Sequence, residues 1–194
     1  MSTLIFVTHP EVVVDPATEV KRWHLRDVGV ERMRLFARSD VVGDVTAVWA
    51  SAETKAIEAA GLLAGWLGLP VLTCEALGEN DRSSTGYLPS GEFDKMADAF
   101  FARPEESVRG WERAVDAQAR IRTAVSGIIA DHRGGDLAII AHGGVGTLLL
   151  CSFLERPISR AADQPAQGYY WSATLPGPKV VHGWRPIAQH PKPA

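Results

Sequence analysis

The chain has 194 residues, 46% apolar and 22% charged, a balance that excludes a disordered, collagen-like or coiled-coil chain and suits one α/β domain. Twenty Lys and Arg against twenty-three Asp and Glu leave a net charge of −3, so no cationic field draws the whole protein to nucleic acid or an acidic membrane, and neither is expected as a partner. Cys74 and Cys151 have no CxxC spacing and the N-terminus lacks the basic flank of a signal peptide, which makes a cytoplasmic protein with reduced thiols the default expectation.

Leu4-Ile5-Phe6-Val7 is an apolar run ending at Thr8-His9-Pro10, the pattern of a strand buried on both faces. After a loop through Asp15-Pro16, residues 27–37 place Val28, Val30, Met33, Leu35 and Phe36 among charges and predict an amphipathic helix. A short strand over 45–50 leads to Ser51, an Ala- and Leu-rich helix to 55–67, and a third strand to 69–73. Residues 77–91 are irregular, punctuated by Gly78, Ser83-Ser84-Thr85-Gly86 and Pro89-Ser90-Gly91; loops of this length are usually functional or mobile. Val108, Trp111, Val115, Ile121, Val125 and Ile128 keep mostly three- and four-residue spacing, which predicts one long helix over about 105–132.

Residues 137–141 read as a buried strand, His142-Gly143-Gly144 as a tight turn and 145–154 as a buried helix. The turn also argues against a membrane span over 137–154, since a helix breaker and an imidazole at the bilayer centre are costly. Residues 169–175 and 179–184 flank Pro176-Gly177-Pro178 as a hairpin, and the tail after Pro186 is expected to be loose. Alternating strands and helices imply an α/β three-layer sandwich, a mostly parallel sheet covered by helices on both faces, with residues 1–194 forming one domain. Ligands on such sheets bind beyond the carboxyl ends of the strands, where His9, Ser51 and His142 would converge.

A neutral imidazole is a competent nucleophile toward phosphorus, and a second polar group beside it can stabilise the transferred phosphoryl. His9 and His142 suit these roles. Four ordered segments, Val7-Thr8-His9-Pro10-Glu11, Ser51-Ala52-Glu53-Thr54-Lys55-Ala56, Leu77-Gly78-Glu79-Asn80-Asp81 and Ala141-His142-Gly143-Gly144-Val145, together resemble the histidine phosphatase superfamily, the phosphoglycerate-mutase-like fold. That family carries Arg-His-Gly, Ser-x-x-x-Arg-Ala, a loop Glu and His-Gly-Gly at the corresponding places. Residues 25–29 are similar to its Leu-Thr-x-x-Gly helix start, and Glu106-Ser107 to its Glu-Ser before the long helix.

The resemblance implies that His9 is the residue phosphorylated, His142 its positively charged neighbour and Glu79 the general acid, with Asp81 the alternative acid two residues on. Three departures mark a divergent subfamily: Thr8 and Lys55 stand where the family has arginines, and Pro10 where it has glycine. Guanidinium grips phosphate bidentately, whereas lysine is a point charge and threonine carries none. Lys21, Arg22 and Arg82 are the candidate replacements, and Ser51 joins Thr8 and Lys55 among the expected phosphate- or substrate-binding residues. Trp23-His24 and residues 80–89 are expected to shape specificity.

The resemblance thus implies a phosphatase or phosphotransferase acting on a small phosphorylated substrate without metal or cofactor. The competing reading is a catalytically weak or inactive domain that binds an anionic metabolite. No HxxxH or HxH spacing suggests a metal site, and the oligomeric state stays open, a dimer included.

Overall fold

The structure, a computed structural model, describes residues 2–189. Six strands, β1 (Ser2–Thr8), β2 (Val45–Ser51), β3 (Val71–Cys74), β4 (Asp136–Ala141), β5 (Tyr169–Leu175) and β6 (Val180–Pro186), form one sheet in the order β3-β2-β4-β1-β5-β6. The first four run parallel, and β5 and β6 close the far edge as the antiparallel hairpin expected from the proline-rich turn. β1 and β4 are central and bury consecutive residues on both sides, which is why their sequences read as unbroken apolar runs.

The alternation of side chains splits these strands between two cores. Ile5, Val7, Val48, Ala138 and Ile140 face α1 (Asp27–Ala37) and α2 (Thr54–Leu67), where Met33, Phe36, Ala59 and Leu63 complete the cluster. Leu4, Phe6, Leu137, Ile139 and Trp171 face the opposite side. There Ile121 and Val125 of α4 (Ala114–Asp131) and Val145 and Leu149 of α5 (Gly143–Phe153) cover them. A third cluster seats α3 (Ser90–Ala102) through Met96, Phe100 and Phe101 against Trp111, Ala117 and Leu148.

Three expectations need correction. The long helix begins at Ala114 and not near 105, because Arg109 and Gly110 take positive φ values of 50° and 80° and break any helix there. Trp111 keeps helical spacing yet reaches the α3 core from this loop. Helix α3 itself lies where the sequence showed a punctuated loop and its sequel. His142-Gly143-Gly144 is not a separate turn: His142 caps α5 and the two glycines are its first residues. The chain past Pro186 is held at first, with Ile187 buried and the Ala188 carbonyl accepting from the buried Arg32 guanidinium; the end of the tail expected to be loose, 190–194, lies outside the described residues.

Candidate active site

Adjacent parallel strands bring the two histidines together. The His9 N–H donates to the Ala141 carbonyl at 3.1 Å, so the chain just past β1 is tied to the residue before His142. The rings meet edge-on with centroids 5.3 Å apart. His9 Nδ1 lies 2.9 Å from the Pro10 carbonyl, which can only accept, so Nδ1 carries the proton and Nε2 keeps its lone pair. Burial, and then the Lys55 and Arg82 charges, push the His9 pKa down to about 4 against the opposing pull of Glu53 and the Pro10 carbonyl. His142 is fully buried, and that burial holds it well below the usual histidine range despite Glu53. Its Nε2 lies 2.8 Å from Ser51 Oγ and 3.4 Å from Glu53 Oε1, while its buried Nδ1 has no partner among the described residues. Both imidazoles are therefore neutral near pH 7.

Glu53, which the sequence reading passed over, links the cluster. Its Oε2 accepts from Lys55 Nζ at 2.5 Å and its Oε1 from the Glu79 N–H at 3.0 Å. Burial raises its pKa, but His142, Lys55 and these hydrogen bonds outweigh that and bring it to about 2. Lys55 also donates to the Val20 carbonyl at 2.8 Å. A lysine on the buried face of α2 needs a carboxylate within reach, and that requirement is the signal that could have found Glu53.

Glu79 follows the short β3 and rests on the start of α5, where its carboxylate accepts from the Gly144 and Val145 N–H groups at 3.1 and 3.0 Å. The helix dipole favours negative charge there. A Cβ on Gly144 would lie 2.7 Å from Glu79 Oε1, so glycine at this position is a requirement of close approach. Arg120, also not anticipated, holds the loop from beneath: it donates to the carbonyls of Ala76, Gly78 and Glu79 and pairs with Glu112 at 2.8 Å. Asp81 is kept low in pKa by its hydrogen bonds from Ser83. A cavity of about 430 Å³ opens at Ser51, Glu53 and Glu79, lined also by Lys21, Asp81 and Arg120 but by neither histidine.

The family model of the histidine phosphatase superfamily, branch 1, matches residues 10–172. The chain belongs to the histidine phosphatase superfamily. Membership assigns it to a superfamily of phosphoric monoester hydrolases. Among solved structures, Bacillus stearothermophilus YhfR is similar with a TM-score of 0.79 and 24% identity over 98% of this chain and 99% of its own. A mycobacterial glucosyl-3-phosphoglycerate phosphatase complexed with inorganic phosphate has a TM-score of 0.75 and 19% identity, with 95% of each chain covered. A phosphoserine phosphatase from Entamoeba histolytica, in complex with 3-phosphoglyceric acid, has a TM-score of 0.77 and 14% identity over 98% of this chain and 99% of its own. A search of proteins with curated function finds no match.

Within this histidine phosphatase the structure brings His9, His142, Ser51, Lys55 and Glu79 into one cluster. Arg82 lies near enough for its charge to act on both imidazoles, and its guanidinium sits 5.0 Å from the Phe93 ring centre and 5.7 Å from that of Trp111. Arg22 is not part of the site: its side chain is 78% exposed and pairs with Glu19 on the same turn. Thr8 is at the site but turned inward, bonded to Gln164 and to the Tyr169 backbone, so as a direct phosphate ligand it is corrected here to a buried structural hydroxyl. The two segments expected to shape specificity do meet, through Trp23 and Tyr87 with ring centres 5.8 Å apart. No helix among the described residues is long and apolar enough to cross a membrane.

Proposed function

We propose that this chain hydrolyses small phosphomonoesters through a phosphohistidine at His9. The observation that carries the reading is the Nδ1 contact with the Pro10 carbonyl, which leaves a neutral imidazole with its Nε2 lone pair beside the partnerless Nδ1 of His142. In the first step Nε2 attacks phosphorus, the N–P bond forms as the ester P–O bond breaks, and the leaving oxygen takes a proton from Glu79. Water then attacks phosphorus, the N–P bond breaks, and the water proton returns to Glu79.

Glu79 suits the acid better than Asp81 by position: its carboxylate rests on the Gly144 and Val145 N–H groups just past His142, whereas that of Asp81 is turned onto Ser83 in its own loop. Arg82 supplies the positive charge, Lys55 being matched by Glu53, and the N-terminus of α5 supplies backbone dipoles. Two structural neighbours are a glucosyl-3-phosphoglycerate phosphatase and a phosphoserine phosphatase, which supports a small phosphorylated metabolite as substrate class.

The test is incubation with para-nitrophenyl phosphate in the presence of EDTA. The expected result is chelator-resistant turnover and an acid-labile, base-stable phosphoprotein, both lost in His9→Ala. Turnover retained by His9→Ala refutes the reading. A second reading, anion binding with little turnover, is favoured by the donors of Thr8 and Lys55 being directed at protein acceptors; vanadate binding without any phosphoprotein would select it.

A further inference from the structure

We propose that Gln164 is a phosphoryl-binding donor of this site and that the Thr8 hydroxyl positions it, a pairing that stands in for the family's first arginine. The inference rests on the phosphatase reading. It starts from the direction of one hydrogen bond. Thr8 Oγ1 accepts from the Tyr169 N–H at 3.1 Å and has a single proton to give. Gln164 Oε1 lies 2.6 Å away, closer than the Tyr169 carbonyl at 3.2 Å, so the proton goes to the carboxamide.

That assignment orients the amide: its oxygen faces Thr8 and its NH₂ faces away, toward the start of α5. The same orientation is visible from the other side, because a Cβ on Gly143 would lie 2.4 Å from Gln164 Nε2. The amide nitrogen thus sits against the residue that follows His142, and it has no acceptor among the described residues.

The neighbourhood holds polar groups without partners. Of the first N–H groups of α5, those of Gly144 and Val145 go to Glu79 and that of Gly146 goes to the His142 carbonyl, leaving Gly143 without an acceptor among the described residues. His142 Nδ1 is buried and partnerless beside it. Gln164 is also anchored where it stands. Its own N–H donates to Asp163 Oδ1 at 2.8 Å, and the same oxygen accepts from Thr147 Oγ1 on α5 at 2.8 Å. The carboxamide is therefore fixed relative to both histidine-bearing segments, through Thr8 before His9 and through α5 after His142. An oxyanion held between the imidazoles would meet Gln164 Nε2 as a neutral donor, with orientation supplied in advance and no added charge.

The experiment measures vanadate affinity, and kcat and KM for para-nitrophenyl phosphate, in wild type, Thr8→Val, Gln164→Leu, Gln164→Glu, Gly143→Ala and the Thr8→Val/Gln164→Leu double variant. Loss of one hydrogen bond to a charged group predicts roughly 10- to 100-fold weaker vanadate binding in Gln164→Leu. Gln164→Glu, nearly isosteric but with an anion in place of a donor, should bind more weakly still, and it serves if the leucine variant does not fold. Thr8→Val should weaken binding in the same direction, with the double variant no worse than Gln164→Leu alone, because the hydroxyl acts only through the amide. Gly143→Ala should reproduce the loss by displacing Nε2. Vanadate affinity within twofold of wild type in both Gln164 variants overturns the proposal while leaving the phosphatase reading intact. A wild type that neither binds vanadate nor turns over substrate overturns both.

Discussion

Replacing Lys55 with methionine keeps the side-chain length in α2 and removes the cation that Glu53 faces at 2.5 Å. Both groups are at least nine-tenths buried, so the carboxylate left behind has little water to turn to. Breaking a buried pair from one side costs about 3–5 kcal/mol. The pKa of Glu53, brought down from 4.5 to about 2 by His142, Lys55 and hydrogen bonds against the effect of burial, agrees in direction. His142 contributes to that shift only when protonated, and near pH 7 it is neutral, so Lys55 carries the pairing there. A loss of about 3 kcal/mol at pH 7 lowers the melting temperature of a domain this size by roughly 6–12 °C. Among the described residues the other basic side chain paired with Glu53 is His142, at 3.4 Å, so the His142 pKa should rise in Lys55→Met and appear as a shifted imidazole resonance. Urea or thermal unfolding at pH 7, beside the Glu53→Gln/Lys55→Met double variant, is the assay. A loss below about 1 kcal/mol, or a double variant no more stable than the single, refutes the reasoning.

The depressed pKa of His9, about 4 against 6.5, makes the folded state bind fewer protons than the unfolded chain in that interval, so stability should fall as pH drops from about 6.5 to 4. The fall reaches about 3 kcal/mol from His9 alone, and a urea midpoint that is flat from pH 6.5 to 4.5, or as steep in His9→Asn, contradicts it. Arg120→Ala frees the carbonyls of Ala76, Gly78 and Glu79, and should lower kcat about tenfold through a displaced Glu79 while vanadate affinity holds. Unchanged kcat would remove Arg120 from the positioning of the acid. Gly144→Ala puts a Cβ 2.7 Å from Glu79 Oε1 and should likewise reduce kcat with helix content intact, as circular dichroism would verify.

The residues legible in the sequence were those whose place follows from local pattern. β1, β2 and β4 end at Thr8, Ser51 and Ala141 because apolar runs stop there, and parallel order then forces His9, Ser51 and His142 onto one rim. What stayed hidden depends on partners distant in the chain. Glu53 reads as a helix-start acid until Lys55 proves buried, Arg120 reads as one more cation on an amphipathic helix until the Glu79 loop is laid across it, and Gln164 lies 156 positions from the Thr8 hydroxyl that fixes its orientation. Helix α3 was legible in principle, since Phe93, Met96, Ala97, Phe100 and Phe101 keep helical spacing, but the glycines and prolines just before it dominated the reading. Trp111 misled in the opposite sense: its spacing continues α4 backward, whereas Arg109 and Gly110 turn the chain out of the helix.

The two positions where the family carries arginine are linked by a common consequence for charge. Thr8 spends its proton on Gln164, and Lys55 is matched by Glu53, so neither brings net positive charge to the rim between the histidines. Arg82 is placed differently. Its guanidinium forms no hydrogen bond or ion pair among the described residues and lies near the rings of Phe93 and Trp111. Contact between a guanidinium and an aromatic ring uses the flat face of the cation and leaves the N–H groups, which point outward in its plane, available to oxygen acceptors. The shelf built by α3 and the segment before α4 thus presents an uncompensated fork of donors whose charge already reaches both imidazoles. On the proposed reading, a phosphoryl group that enters here meets one cation from the loop and the neutral donor of Gln164 in place of two guanidinium groups. If Arg82 binds the anion, affinity depends on where the loop holds it, and Phe93 and Trp111, the rings it lies against, would then act on phosphate binding without a polar contact of their own.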